Sequence, residues 1–281
     1  MTTVGILHPG SMGAAVAHQL VKRGMRVLWT PAGRSQATVA RAREAGLEAV
    51  ADLADLVAQS SVVISLCPPA AAESVAREVA QYARDSLVYV EANAVTPRRV
   101  ERIERLVSPA TVIDAAVIGS PPDDDTHPAL YVSGPRGAVD EVAGFFDASS
   151  VHVTVLGPEI GKASSLKMAY TMYQKTSRVL AAISYATAQA DGLGDEILKL
   201  AAHRPGSYLS ETGYIPTTAA LAWRWGPELA EAAEYAETTG FPGEIMQAAA
   251  QALSRWDDIH DTRLSLTEVL TRLKHTSEGG H

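Results

Sequence analysis

The segment His8-Pro9-Gly10-Ser11-Met12-Gly13 joins an apolar run, Val4–Leu7, to an Ala-rich stretch. Glycines spaced as Gly10 and Gly13 suit a turn where backbone approaches a pyrophosphate and a helix then packs closely on its strand. The N–H groups that open such a helix, together with its dipole, attract phosphate oxygens. His8 stands where the first glycine of G-x-G-x-x-G belongs, so the turn is incomplete and a plain strand-to-helix connection is the alternative. Its place in the first βα unit favours a nucleotide cradle of His8, Gly10, Ser11, Met12 and Gly13. A second chemistry is offered farther along. Ser164, Lys167, Thr171, Gln174 and Arg178 recur at helical spacing with Lys175 at their edge, on an otherwise apolar helix. A lysine whose pKa is lowered by partial burial can protonate an alkoxide formed by hydride delivery and withdraw that proton in reverse. Lys167 is the candidate for this role; a stripe turned to solvent is the alternative.

Other loops bear on which cofactor fits. The end of the second strand reads Thr30-Pro31-Ala32-Gly33-Arg34-Ser35. It lacks the carboxylate that would bond the ribose 2′-hydroxyl of NAD, and offers a cation beside hydroxyls that suits a 2′-phosphate. NADP(H) is therefore favoured over NAD(H), with Thr30, Arg34 and Ser35 as contacts; Arg34 as a solvated loop charge is the alternative. Leu66-Cys67-Pro68-Pro69 would form a rigid wall beside the nicotinamide-side ribose. Asn93 offers an amide to the ribose or carboxamide. Cys67 reads as a small packing residue, since no nucleophile motif accompanies it. No residue is assigned to a metal.

The elements that must position these groups follow from periodicity. Val4–Leu7, Arg26–Trp29, Val62–Leu66, Leu87–Val90 and Val112–Val117 read as strands, with extensions at Leu130–Val132 and Val151–Val155. Met12–Arg23, Gln36–Ala45, Leu53–Gln59, Ala71–Ala83 and Arg98–Leu106 read as intervening helices. Near-continuous apolar strands alternating with helices predict an α/β fold: a Rossmann parallel sheet covered on both faces. After Gly157-Pro158 the pattern becomes all-helical. One long helix is expected from Lys162 to about Ala190, then Asp195–Ala202, Thr217–Trp225, Glu228–Thr238, Gly243–Trp256 and Leu266–Leu273. The expected domains are 1–157 for nucleotide binding and 158–281 for substrate and dimerisation. With 281 residues, 47% hydrophobic and 20% charged, the chain has an ordinary globular composition. A net charge of -8 without a basic block argues against nucleic acid as a partner. No apolar run approaches the roughly 18 residues of a membrane span. A single cysteine and no leader-like N-terminus point to the cytoplasm.

The chain resembles the β-hydroxyacid dehydrogenase superfamily, related to 6-phosphogluconate dehydrogenase and the imine reductases. The resemblance rests on Gly10, Met12 and Gly13, Cys67-Pro68-Pro69, Asp114-Ala115 at a strand end, and Gly161 ahead of Lys167. Asn93-Ala94 with Pro97, Ile118-Gly119-Ser120-Pro121-Pro122, the segment Ala163–Lys175, and Arg224-Trp225 followed by Glu228 resemble a little-characterised phosphogluconate-dehydrogenase-like branch. The resemblance implies an oxidoreductase with a small-molecule substrate and a homodimer with interlocked C-terminal helices. Lys167 then matches the family's catalytic lysine, and Thr171, standing where the family has an asparagine one turn later, is the second catalytic candidate. Ile118 and Ser120 replace the usual substrate-binding serine and a glycine, which puts simple 3-hydroxy acids in doubt. Substrate contacts are expected from Ile118, Ser120, Tyr170, Gln174 and Trp225, while Arg224, His203, Tyr208 and Tyr214 are weaker candidates. Retention of Lys167 favours carbonyl chemistry, because an iminium needs no such proton donor. An imine reductase or reductive aminase, and a dinucleotide-binding protein without catalysis, are the alternatives.

Overall fold

The computed structural model describes residues 2–203, 206, 212–223, 225–226, 229, 233, 237, 240–260 and 262–273; within the long helix it gives backbone but not side chains for 172, 175, 176, 178, 179, 181–183 and 186. The chain forms two compact units, Met1–Thr171 and Met172–His281. This division falls inside the long helix, after the change of sequence pattern at Gly157.

In the first unit β1 (Thr3–Leu7), β2 (Arg26–Trp29), β3 (Glu48–Ala49), β4 (Val62–Ser65), β5 (Val88–Glu91), β6 (Thr111–Ile118), β7 (Ala129–Ser133) and β8 (His152–Val155) form one sheet. Its order is β3-β2-β1-β4-β5-β6-β7-β8. Pairing is parallel except between β6 and β7. The order reverses between β1 and β4, and an open α/β sheet leaves a crevice at the strand ends there. The helices are α1 (Ser11–Lys22), α2 (Gln36–Glu44), α3 (Leu53–Gln59), α4 (Ala72–Ala80), α5 (Pro97–Val107) and α6 (Arg136–Gly144).

Strand periodicity sorts the core onto two faces. Val4, Ile6, Val62 and Ile64 pack with α1 residues such as Ala17 and Leu20. Leu7 and Val63 pack on the other face with Leu56, Val79 and Val100 from α3, α4 and α5. Each face removes its apolar side chains from water, the dominant favourable term in folding.

Helix α7 (Lys162–Ala190) begins in the first unit and continues into the second. Gly161 precedes it with φ 97°, and a Cβ there would lie 3.1 Å from Pro97 Cβ, so the approach to α7 requires glycine. In the second unit lie α8 (Gly194–Ala202), α9 (Ile215–Ala220), α10 (Glu244–Leu253) and α11 (Leu266–Leu273). Trp256 packs with Ala219, Ile259 and Val269, and its indole N–H donates to the Val269 carbonyl at 2.9 Å. Most of Glu228–Thr238 lies outside the described residues. Two elements escape the sequence reading: β3, both of whose residues are exposed, and α6, which contains two glycines. Among the described residues no helix is long and apolar enough to cross a membrane.

Candidate functional site

At the β1 end of the switch point the chain turns tightly: the Gly10 N–H donates to the His8 carbonyl at 2.7 Å. Helix α1 follows with Gly10 as its N-cap, and no side chain caps it. Its first N–H groups therefore lack the side-chain partner that most helix starts acquire. A cleft of about 470 Å³ opens there, lined by His8, Gly10, Ser11, Met12 and Gly13, by Gly33, Arg34, Ser35 and Thr38, and by Leu66, Cys67 and Pro68. The expected nucleotide residues other than Thr30 and Asn93 thus share one wall, and Gly33 and Thr38 join them. A Cβ on Gly10 would meet only the His8 carbonyl, at 4.0 Å. Protein packing does not demand glycine at that position, whereas a phosphate drawn close to the backbone would.

Electrostatics in the wall favour an anion. Arg34 lines it, and its Nε and His8 Nδ1 are both buried with no hydrogen-bond partner among the described residues. Burial, then the neighbouring Arg34 charge, lowers the His8 pKa to about 4. Thr30 instead faces its own loop, its Oγ1 accepting the Ala32 N–H at 3.4 Å. Ser35 caps α2 by accepting the Thr38 N–H at 3.3 Å. Arg41 Nη2 donates to Thr38 Oγ1 at 3.2 Å, bringing a second cation beside the cleft lining. The spacing Ser35, Thr38, Arg41 on one helical face was the available signal for Thr38 and Arg41.

Asn93 is buried behind the wall. The Cys67 N–H donates to its Oδ1 at 2.5 Å, which fixes the amide orientation because a backbone N–H can only donate. Its Nδ2 donates to Ser65 Oγ at 2.9 Å. The side chain staples the β4 and β5 loops together and is absent from the cleft lining, unlike the ligand contact its sequence position suggests. Burial pushes the Cys67 thiol up, keeping it protonated.

Beneath these loops runs a polar row that the sequence reading did not assemble. Ser65 pairs with Glu91, Glu91 with Asp114, and Asp114 with Ser133, so all four share one level of the sheet. Each is 0% exposed. Ser65, Glu91 and Ser133 end otherwise apolar strands, which was the available signal, whereas Asp114 lies in the middle of β6 and not at the strand end its sequence suggested. Asp114 receives three hydrogen bonds: from Ser133 Oγ at 3.2 Å, Ser164 N–H at 2.9 Å and Ser164 Oγ at 2.6 Å. It thus anchors the first turn of α7. One turn later Lys167, half-buried, donates from Nζ to the Val117 carbonyl at 2.6 Å. The first half of the polar stripe therefore faces β6, not solvent. Because β1, β4, β5 and β6 run parallel, Lys167 sits at the same sheet edge as the cleft. Three strand spacings, roughly 14 Å, separate β1 from β6.

The remaining expected residues are placed as follows. Ile118 ends β6 half-buried, Ser120 is exposed beyond it, and Tyr170 and Thr171 are half-buried on α7. Gln174 and Trp225 belong to the second unit. Trp223 stacks on His260 with ring centroids 5.6 Å apart. Arg204, Pro205, Tyr208, Arg224 and Glu228 lie outside the described residues, as do the side chains of Lys175 and Arg178.

Comparison with known proteins agrees with this architecture. An uncharacterized 28.5 kDa protein in the 7S RNA 5′ region of Methanothermus fervidus is 27% identical over 197 residues, covering 70% of this chain and 75% of that one. A reductive aminase from Aspergillus terreus, solved with NADPH and ethyl levulinate, is 18% identical with a TM-score of 0.77, covering 98% of this chain and 100% of that one. A Streptomyces aurantiacus imine reductase gives 18% identity and a TM-score of 0.76 over 98% and 100%. At such identities the structures show a shared fold. Residues 188–256 match a domain of unknown function (DUF1932). Residues 3–157, more than half the chain and the whole of the cleft-bearing sheet, match the NAD binding domain of 6-phosphogluconate dehydrogenase, and the protein belongs to that family.

Proposed function

We propose that this protein is an NADPH-dependent oxidoreductase acting on a small polar hydroxy or keto compound, with Lys167 as general acid and base. The carrying observation is the uncapped start of α1 facing a cleft that holds Arg34 and has no carboxylate among the described residues of its lining. When bound there, the nicotinamide would supply or accept a hydride at the substrate carbon. The N–H groups at Ser11, Met12 and Gly13 would hold the pyrophosphate. Arg34, with Thr38 and Arg41 beside it, would take the 2′-phosphate. Lys167, oriented by the Val117 carbonyl, would deliver a proton to the alkoxide oxygen and remove it in the oxidative direction. Ile118, Ser120, Tyr170 and Thr171 would border the substrate; the 158–281 helical domain carries the further candidates Gln174 and Trp225. Exposed Leu166 on α7 and Leu198 and Leu200 on α8 support a homodimer built on that domain.

A second reading, an imine reductase or reductive aminase, is favoured by the fold shared with such enzymes. The test is titration with NADPH and NADH, followed by ketone reduction with and without added amine. NADPH should bind more tightly than NADH, and ketones should be reduced without amine. Lys167→Ala should cut turnover by roughly 10²–10⁴ while leaving NADPH affinity nearly intact. Reduction that depends on amine would select the second reading. NADPH binding without turnover on either panel would leave a dinucleotide-binding protein, and unchanged turnover in the variant would remove Lys167 from the reaction.

A further inference from the structure

If the cleft is a nicotinamide-nucleotide site, as proposed above, its most unusual residue still lacks a task. His8 occupies the position where the fingerprint has a glycine, and it adopts φ 65°. That left-handed conformation costs glycine nothing and is uncommon for other residues, although histidine tolerates it better than branched side chains do. A strained position that carries a large polar side chain into a cleft invites a functional explanation.

The surroundings supply one. His8 Nδ1 and Arg34 Nε are both buried and have no hydrogen-bond partner among the described residues, and both residues line the same cleft. Buried polar atoms are nearly always hydrogen-bonded, so a pair left open in one wall points to oxygens from a ligand. The groups facing them can be named. From the start of α1 come Gly10, Ser11, Met12 and Gly13; from the β2–α2 loop, Gly33, Ser35 and Thr38; from the end of β4, Leu66, Cys67 and Pro68. Among the described residues of this lining Arg34 is the fixed charge and Cys67 the other titratable group, its thiol held protonated by burial. No carboxylate among the described residues of the lining competes for the imidazole. In the free protein burial and Arg34 keep that imidazole neutral. A phosphate group would offset Arg34 and accept a hydrogen bond from the ring, so it would favour the protonated form.

We infer that a nucleotide phosphate binds to His8 and Arg34 together, and that His8 takes up one proton from solvent as it does so. Nucleotide affinity then strengthens as pH falls toward the histidine range, by up to about tenfold per pH unit. Either the pyrophosphate, common to both coenzymes, or the 2′-phosphate of NADPH could be the partner; both offer the same anionic oxygens.

Calorimetric titration of the full chain with NADPH and with NADH, in buffers of matched pH but different ionisation enthalpy, tests this. Between about pH 6 and 8, the wild-type protein should take up as much as one more proton per nucleotide than His8→Asn. Asparagine tolerates the same backbone conformation, and the difference removes the nucleotide's own titration. NMR titration of the His8 ring in the wild-type protein gives a readout independent of the variant: its pKa should rise on adding NADPH. Excess uptake with both coenzymes places the pyrophosphate at His8, and excess with NADPH alone places the 2′-phosphate there. Equal uptake by wild type and variant, or a ring pKa unmoved while NADPH binds, overturns the inference and leaves the coenzyme site standing. Failure of both coenzymes to bind overturns the inference together with the reading beneath it.

Discussion

Gly10 and Gly13 look interchangeable in the sequence, yet the structure needs them for different reasons. A Cβ at Gly13 would sit 2.8 Å from the His8 carbonyl oxygen. That oxygen is itself held by the Gly10 N–H at 2.7 Å, so it has little room to retreat. At Gly10 the nearest atom to an added Cβ is 4.0 Å away. Gly13→Ala should therefore destabilise the fold by about 1–3 kcal/mol through overpacking. Gly10→Ala should stay within about 0.5 kcal/mol of wild type but weaken NADPH binding at least about tenfold, roughly 1.4 kcal/mol. Urea unfolding and a coenzyme titration of each variant check the pair. A destabilised Gly10→Ala protein, or one that still binds normally, would refute the division of labour. The same contrast shows what sequence reveals at this scale. The spacing of two glycines before a helix announces a turn, and Arg34 after the second strand announces a cation. What remains hidden is direction. Asn93 looks like a ligand contact from its loop, but its amide is turned to Cys67 and Ser65. Arg41 looks like a surface charge, but it reaches Thr38.

Among the elements, β6 is the one that sets α7 in place. Asp114 holds the first turn of the helix, and the Val117 carbonyl holds Lys167 one turn later. A carboxylate at a helix start is favoured by the dipole and accepts the otherwise orphaned N–H groups. Asp114→Ala would strand buried donors of Ser133 and Ser164, and should cost about 3 kcal/mol or more. Asp114→Asn retains an oxygen acceptor and loses the charge, so it should cost about half as much. Hydrogen exchange at Ala163, Ser164 and Ser165 should accelerate more than exchange in β1. Uniform acceleration across the sheet would mean that Asp114 supports the whole unit and not this junction. The alternation of strands and helices was legible because parallel strands buried on both faces read as continuous apolar runs. The glycine-free stretch from Lys162 made α7 legible too. Helix α6 was not, because Gly137 and Gly144 dilute its pattern. Strand β3 was not, because two exposed residues carry no periodicity. The Asp114–Ser164 contact, spanning 50 residues, has no local signature at all.

For the molecule as a whole, buried Glu91 and half-buried His8 should bend the stability–pH curve in opposite directions. Burial, reinforced by neighbouring Asp114, raises the Glu91 pKa from 4.5 to about 7. The folded state then holds a proton that the unfolded chain releases, so stability falls as pH rises from about 4.5 to about 7 and is level beyond. His8 works the other way. Its pKa is lowered from 6.5 to about 4, so the unfolded chain gains the proton first and stability falls as pH drops through that interval. Over the shared range the two slopes offset each other, and a wild-type curve alone would show neither. Glu91→Gln keeps an oxygen for the Asn93 N–H, which Glu91 Oε1 now accepts at 3.1 Å, and removes the charge. Its stability minus that of wild type should be near zero around pH 4.5 and climb to a plateau above pH 7. The full shift would correspond to about 3 kcal/mol. His8→Asn minus wild type should instead grow as pH falls below 6.5. Because each curve is a difference from wild type, the ordinary acid titration of exposed carboxylates cancels. Urea midpoints measured across this range decide the matter: a Glu91→Gln difference that does not vary with pH would mean that Glu91 carries its charge inside the sheet, and that some cation must then lie close enough to hold it there.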